Sequence, residues 1–261
     1  MNPALWAAKT GLDAQQTAMD VISNNLANVN TDGFKKSRAV FEDLLYQNVT
    51  QVGAATSQTT QSPSGAALGT GVQLVATEKN FSEGSLNQTG NSLDLAINGL
   101  GFFQVLLPNG TLAYTRAGDL QLSAQGQIVT SDGYVVQPAI TIPQGAQSVT
   151  VASDGTISVQ LPNQSAPTTV GTLQLAQFVN PAGLQPLGQN LMLQSAASGT
   201  PQTGNPGQNG MGLLQQGYVE SSNVNVVEEM VNMIETQRAY EMNTKAIETN
   251  DQMLQYLDTN L

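Results

Sequence analysis

Apolar residues recur at alternating spacings of three and four along the first thirty positions. Leu5, Ala8, Leu12, Gln15, Met19, Ile22, Leu26 and Val29 follow this series, and seven of the eight are apolar. A helix with this spacing carries one narrow hydrophobic seam. Near the other end, Val226, Met233, Tyr240, Ile247, Leu254 and Leu261 recur every seven residues. Polar Gln237, Thr244 and Asp251 interrupt that series, and Asn232, Asn243 and Asn250 flank it. Polar groups held between helices have to pair, and such positions specify register in an assembly. Neither helix can bury its seam alone. The expectation is that the two ends pack together in a bundle or tube shared between subunits.

Punctuation supports both helices. Asn2 is placed to cap the first, and Pro3 takes the first helical position, where its missing N–H costs nothing. Gly33, after Asn28, Asn30 and Asp32, supplies a stop. The spacing predicts a helix from residue 3 to about residue 29. The second helix is expected to begin near Asn225, with Glu228 three residues on in a capping-box arrangement. Glu228 and Glu229 also suit the positive end of a helix dipole.

Between the helices the period changes to two. Val72, Leu74 and Ala76 alternate with polar positions, as do Leu93, Leu95 and Ile97, and Phe102 to Leu107 is a fuller apolar run. Turn signals follow at Pro108-Asn109-Gly110, Gly118-Asp119, Gln125-Gly126, Asp132-Gly133, Asp154-Gly155 and Pro181-Ala182-Gly183. Such spacing indicates antiparallel hairpins. A short apolar cluster (Phe34, Val40, Phe41, Leu44, Leu45, Tyr46) precedes a polar stretch at 47–71 with no period. That stretch is expected to be flexible alone and ordered by a neighbour. The predicted fold class is α+β. Residues 1–33 and 222–261 form a helical coiled-coil domain, and 72–195 an all-β outer domain of antiparallel hairpins. Residues 34–71 and 196–221 are extended connectors.

Composition narrows the chemistry. At 261 residues the chain can bury a sizeable core. A net charge of −11 argues against a nucleic-acid partner, since phosphate binding needs clustered Lys and Arg. Lys35, Lys36 and Arg38 form the one basic cluster, expected as a solvated turn. The absence of Cys removes disulfides and thiolate chemistry, and the absence of His removes the commonest general base near neutral pH. No apolar run approaches the roughly 20 residues of a membrane span. No charged n-region precedes an apolar stretch at the N-terminus. On its face this says cytoplasmic; an export route that reads an uncleaved N-terminus is compatible with it.

Candidate catalytic groups are few. Glu228/Glu229 and Glu241/Glu248 resemble a glycosidase carboxylate pair only superficially. They are expected on a solvated helix face, with Glu241 and Lys245 forming an i,i+4 pair. Gly99-Leu100-Gly101 lacks the third glycine and the lysine of a phosphate loop. Asp32-Gly33, Asp132-Gly133 and Asp154-Gly155 lack the further acidic ligands of a calcium loop and are expected as turns. No enzyme activity, cofactor or metal is expected.

Three segments carry a resemblance. Asn24-Asn25-Leu26-Ala27-Asn28-Val29-Asn30-Thr31-Asp32-Gly33-Phe34-Lys35 resembles the N-terminal signature of bacterial flagellar axial proteins of the rod and hook. Gly101-Phe102-Phe103-Gln104-Val105 and Tyr114-Thr115-Arg116-Ala117-Gly118 are similar to the β region of that family. Ser222-Asn223-Val224-Asn225-Val226-Val227-Glu228-Glu229-Met230 and Gln237-Arg238-Ala239-Tyr240-Glu241 are similar to its C-terminal signature. Asp32 stands where many members have Pro. Length and the 47–71 insert are most similar to the distal rod branch; a proximal rod or hook-type subunit is the alternative. A secreted β-domain adhesin with oligomerising helical ends is the alternative from another class.

The resemblance implies a helical homopolymer with an inner coiled coil built from both termini. It implies proximal rod and hook proteins at the two ends of the polymer and P- and L-ring proteins around it. It also implies delivery by the flagellar type III export apparatus without a cleaved signal, to a rod crossing the periplasm.

Overall fold

The computed structural model describes residues 3–53, 64–162, 164 and 166–259. Asn2 and Leu261 lie outside them. The chain divides into two compact units: Met1–Leu26, Ser37–Glu78 and Asn225–Leu261 in one, Ala27–Lys36 and Lys79–Val224 in the other.

The first unit contains both long helices. α1 spans Pro3–Ala27 and α2 spans Val226–Thr259. At about 1.5 Å per residue these are roughly 37 and 51 Å long. Asn225 caps α2. Its Oδ1 accepts from the backbone N–H of Val227 at 3.0 Å and of Glu228 at 3.4 Å, satisfying donors that have no intrahelical partner. Strand β1 (Ser37–Asp43) pairs with β4 (Val72–Lys79), and between them in sequence β2 (Gln47–Thr50) pairs antiparallel with β3 (Ala66–Leu68). The stretch read as lacking any strand period thus contains two short strands. Its residues 54–63 lie outside the described ones.

The second unit is antiparallel β. Its main sheet runs in the order 185–188, 191–193, 112–115, 102–106, 135–137, 128–129 and 121–122. Residues 175–177 add to the 102–106 strand at Phe102 and Phe103, and to 202–204. The hairpin joining 102–106 to 112–115 turns at Pro108-Asn109-Gly110, where Gly110 takes a φ of +81° and donates to Leu107 O. Residues 148–151, 156–160 and 168–172 form a separate three-stranded sheet. The main core gathers Leu95, Ile97, Phe103, Val105, Ile157 and Leu175, all nearly inaccessible to solvent. A second cluster stacks Phe102, Tyr114 and Phe178 edge to face at 4.7–6.0 Å between ring centres. This geometry is favoured by the aromatic quadrupole.

Candidate assembly site

Among the described residues of the helical unit, two contacts show how the helices lie against each other. Asn25 Nδ2 donates to Glu229 Oε2 at 3.3 Å, and Gly11 faces Asn243, whose Nδ2 lies 3.0 Å from where a Cβ would stand. Fourteen residues separate these contacts on each helix (25 − 11 on α1, 243 − 229 on α2), in opposite chain directions. The helices are antiparallel, and the spacing is two heptads. The same register sets Ala18 across from Thr236. Residues of α1 at these positions are small or polar, which allows close approach, and glycine in a helix interior otherwise costs about 0.5–1 kcal/mol.

Asn25 does more than touch α2. Its Oδ1 accepts from Ser37 N at 2.9 Å and its Nδ2 donates to Ser37 O at 2.8 Å. The amide therefore acts as a strand partner for the first residue of β1, while also donating to Glu229. Asn25 and Glu229 are buried. Glu229 was expected on a solvated face; it is instead enclosed beside α1. The anticipated Glu241–Lys245 pair is replaced by Lys245–Glu248 at 3.0 Å.

The predicted N-terminal seam positions lie as follows; α1 ends at Ala27, short of the expected residue 29, so Val29 falls in the turn beyond it. Leu5, Leu12, Met19, Leu26 and Val29 are half-buried and Ile22 is buried. On α2, Met233 and Ile247 are half-buried, while Val226, Tyr240 and Leu254 are partly exposed. The α2 face toward α1 is centred on Glu229, Thr236 and Asn243, so the Val226 series flanks that contact. Thr236 satisfies its hydroxyl on Asn232 O at 2.7 Å. Asn24, Gln237 and Arg238 are exposed, and Ala239 is half-buried.

In the β unit the remaining signature residues converge on one carboxylate. Glu220 Oε1 accepts from Lys35 Nζ at 2.6 Å and from Gly84 N at 2.9 Å, and its Oε2 accepts from Arg116 Nε at 2.8 Å. Lys35, Arg116 and Glu220 are 2%, 4% and 1% exposed. Lys35 also donates to Ser82 O at 2.7 Å, and Arg116 to the carbonyls of Gly99 and Gly101 at 2.8 Å each. Gly99-Leu100-Gly101 is thus a cradle for a guanidinium, with φ of +115° and +138° at its two glycines. Burial pushes the Glu220 carboxyl upward, but Arg116 and Lys35 together hold it below its ordinary value. Burial pushes the Lys35 ammonium down against the pull of Glu220.

The expectation of a solvated basic turn fails at Lys35. Its partner lies 185 residues along the chain, too far for local patterning to reveal. Arg38 does remain exposed, paired to Glu78 at 2.8 Å.

The neighbours of the knot explain the rest of the signature. Gly33 takes a φ of +70° and donates to Glu220 O at 2.7 Å; a Cβ there would lie 2.5 Å from Ala117 N. Phe34 is buried, with Lys79 Nζ 5.0 Å from its ring centre. Asn28 Oδ1 accepts from Thr31 Oγ1 at 3.2 Å, forming the turn after α1. Asn223 Oδ1 accepts from Lys36 N at 2.8 Å, and its Nδ2 donates to Asn80 O at 2.9 Å. These side chains and the carbonyls they engage form a structural latch that ties together segments far apart in the chain.

Residues 5–35 match the family described as flagella basal body rod protein. Residues 96–159 match the flagellar hook protein FlgE/F/G D1 domain, and 215–260 the flagellar basal body rod FlgEFG protein C-terminal. The chain is 58% identical over 257 residues to the flagellar basal-body rod protein FlgG of Buchnera aphidicola subsp. Schizaphis graminum, covering 98% of this chain and 99% of that one. It is 49% identical to FlgG of Caulobacter vibrioides, with 97% of each covered, and 39% identical to FlgG of Bacillus subtilis, with 98% of each covered. With signatures at both ends and in the middle, and identity of this order over nearly its whole length, the chain belongs to the flagellar basal-body rod protein family.

Proposed function

We propose that this protein is the structural subunit of the distal rod, polymerising into a helical tube that carries motor torque toward the hook and filament. In this reading α1 and α2 form the coiled-coil innermost layer, and the β unit forms an outer layer. The observation that carries it is the antiparallel register of the helices, fixed by Asn25–Glu229 and Gly11–Asn243, together with apolar surface that α2 leaves uncovered. A latch of buried charges suits a part under load, because breaking one partner is strongly unfavourable.

The same reading makes the protein a non-enzymatic component of the flagellar basal body. It meets proximal rod and hook proteins at its two ends, turns within P- and L-ring proteins, and arrives through flagellar type III export. Among the described residues no helix is long and apolar enough to cross a membrane. The test is electron microscopy of the purified full chain at high concentration. Wild type should form tubes, and Leu26→Asp should remain monomeric with its β unit folded. Normal tubes from Leu26→Asp would sink the assignment of the terminal helices to the assembly core.

A further inference from the structure

α2 carries a second apolar stripe, on its side away from α1. Val227, Met230, Val231 and Ile234 are 71%, 51%, 49% and 48% exposed. At 3.6 residues per turn, Val227, Val231, Ile234 and Arg238 fall in one narrow stripe roughly 180° from Glu229 and Thr236. The helix is therefore inverted, with polar groups toward its intrachain partner and branched aliphatics toward solvent.

Arg238 closes this stripe. It is exposed and, among the described residues, has no ionic or hydrogen-bond partner. Basic groups elsewhere are engaged: Lys35 and Arg116 by Glu220, Arg38 by Glu78, Lys245 by Glu248, and Lys9 and Lys79 by aromatic rings.

α1 has an outward stripe of its own, polar apart from Trp6. Trp6, Lys9, Asp13, Gln16, Asp20 and Ser23 follow spacings of three and four, and all are exposed. Among the described residues the carboxylates of Asp13 and Asp20 have no partner. They cannot serve the Arg238 of their own chain, which points from the far side of α2.

We propose that the Val227–Val231–Ile234–Arg238 face of α2 docks on the outward stripe of α1 in a second copy of the chain, with Arg238 paired to the carboxylate of Asp13 or of Asp20. This rests on the polymer reading above and names the contact that propagates it. Because the two faces differ, the contact is heterologous. Each copy offers one face and receives the other, and such contacts generate rings or open helical filaments. Charge complementarity selects the occupant: the stripe ends in a lone cation, and the receiving stripe carries two carboxylates one heptad apart.

The experiment measures the critical concentration for tube formation by sedimentation of the full chain, with circular dichroism verifying helix content. Arg238→Glu should raise it about tenfold or more, the scale of losing a close interfacial charge pair. Combining Arg238→Glu with Asp13→Arg and Asp20→Arg should return it most of the way to wild type. Unchanged assembly of Arg238→Glu would overturn the pairing, as would failure of the charge swap to rescue it. If Leu26→Asp blocks tubes while Arg238→Glu does not, the pairing falls and the terminal-helix reading stands. Normal tubes from both variants would overturn the two together.

Discussion

Arg116 and Glu220 lie 104 residues apart in the chain and meet at 2.8 Å inside the β unit. Lys35 takes the other carboxylate oxygen, so two cations share one anion with almost no solvent access. The arrangement holds only while all three are present. Glu220→Ala should destabilise the protein by about 3–5 kcal/mol, since it strands two buried cations. Urea unfolding followed by intrinsic fluorescence measures this. A loss below about 1 kcal/mol, the value of an exposed pair, would show that the cations find other partners.

The same carboxylate makes stability depend on acid. Burial works to raise its pKa, and Arg116 and Lys35 outweigh it, leaving the folded value below the ordinary 4.5. A depressed carboxylate stabilises the fold above its unfolded pKa, and that contribution is lost as pH falls through the folded value. The unfolding midpoint should therefore drop steeply below about pH 4.5. Glu220→Gln, weaker at neutral pH, should show a shallower acid limb. Parallel limbs in the two proteins would assign acid sensitivity to other carboxylates.

Both helices and the β middle were legible because their signals are local. Asn225 announced the start of α2 by residue type and position, and Pro108-Asn109-Gly110 announced a hairpin that the strands at 102–106 and 112–115 complete. The ionic latch was not legible. Lys35 sits in a basic run that ordinarily faces water, and its partner is distant in sequence. Glu220 offered one faint signal, an acidic residue within a short strand beside apolar Val219. The α2 contact face was also hidden. Heptad reading selects apolar residues, whereas the face toward α1 uses Glu229, Thr236 and Asn243, whose polarity is tolerated because each is paired or packed against a small residue.

Asn25 gives the helical unit its own sensitive point. Asn25→Ala leaves the backbone N–H and C=O of Ser37 without their side-chain partners and removes the donor to Glu229. A buried group left unsatisfied costs about 1–3 kcal/mol. Asn25→Asp should be worse at neutral pH, because it also sets a second carboxylate beside buried Glu229. Thermal melts monitored at a helix band test the order. If Asn25→Asp were the more stable at neutral pH, the Glu229 carboxylate would have to be turned away from it.

The ribbon made by β2 and β3 is open to solvent along its whole length. Every side chain in its two strands is exposed, and Leu45, Tyr46, Val49, Val52 and Leu68 add large apolar surface with no core of their own. A two-stranded ribbon is marginal alone in water. Covering this surface on neighbouring subunits would add contacts along the tube axis, and a shaft resists bending when each subunit is held through more than one layer. The Gln, Ser and Thr side chains of 47–71 can add hydrogen bonds worth about 0.5–1.5 kcal/mol each, repeated in every copy. Deleting residues 47–66, a stretch that includes 54–63 outside the described residues, should leave polymerisation to the terminal helices and make the tubes more curved. Curvature in electron micrographs is the measurement. Tubes as straight as wild type would show that the segment does not set stiffness. A complete loss of assembly would show that it holds the polymer together as well.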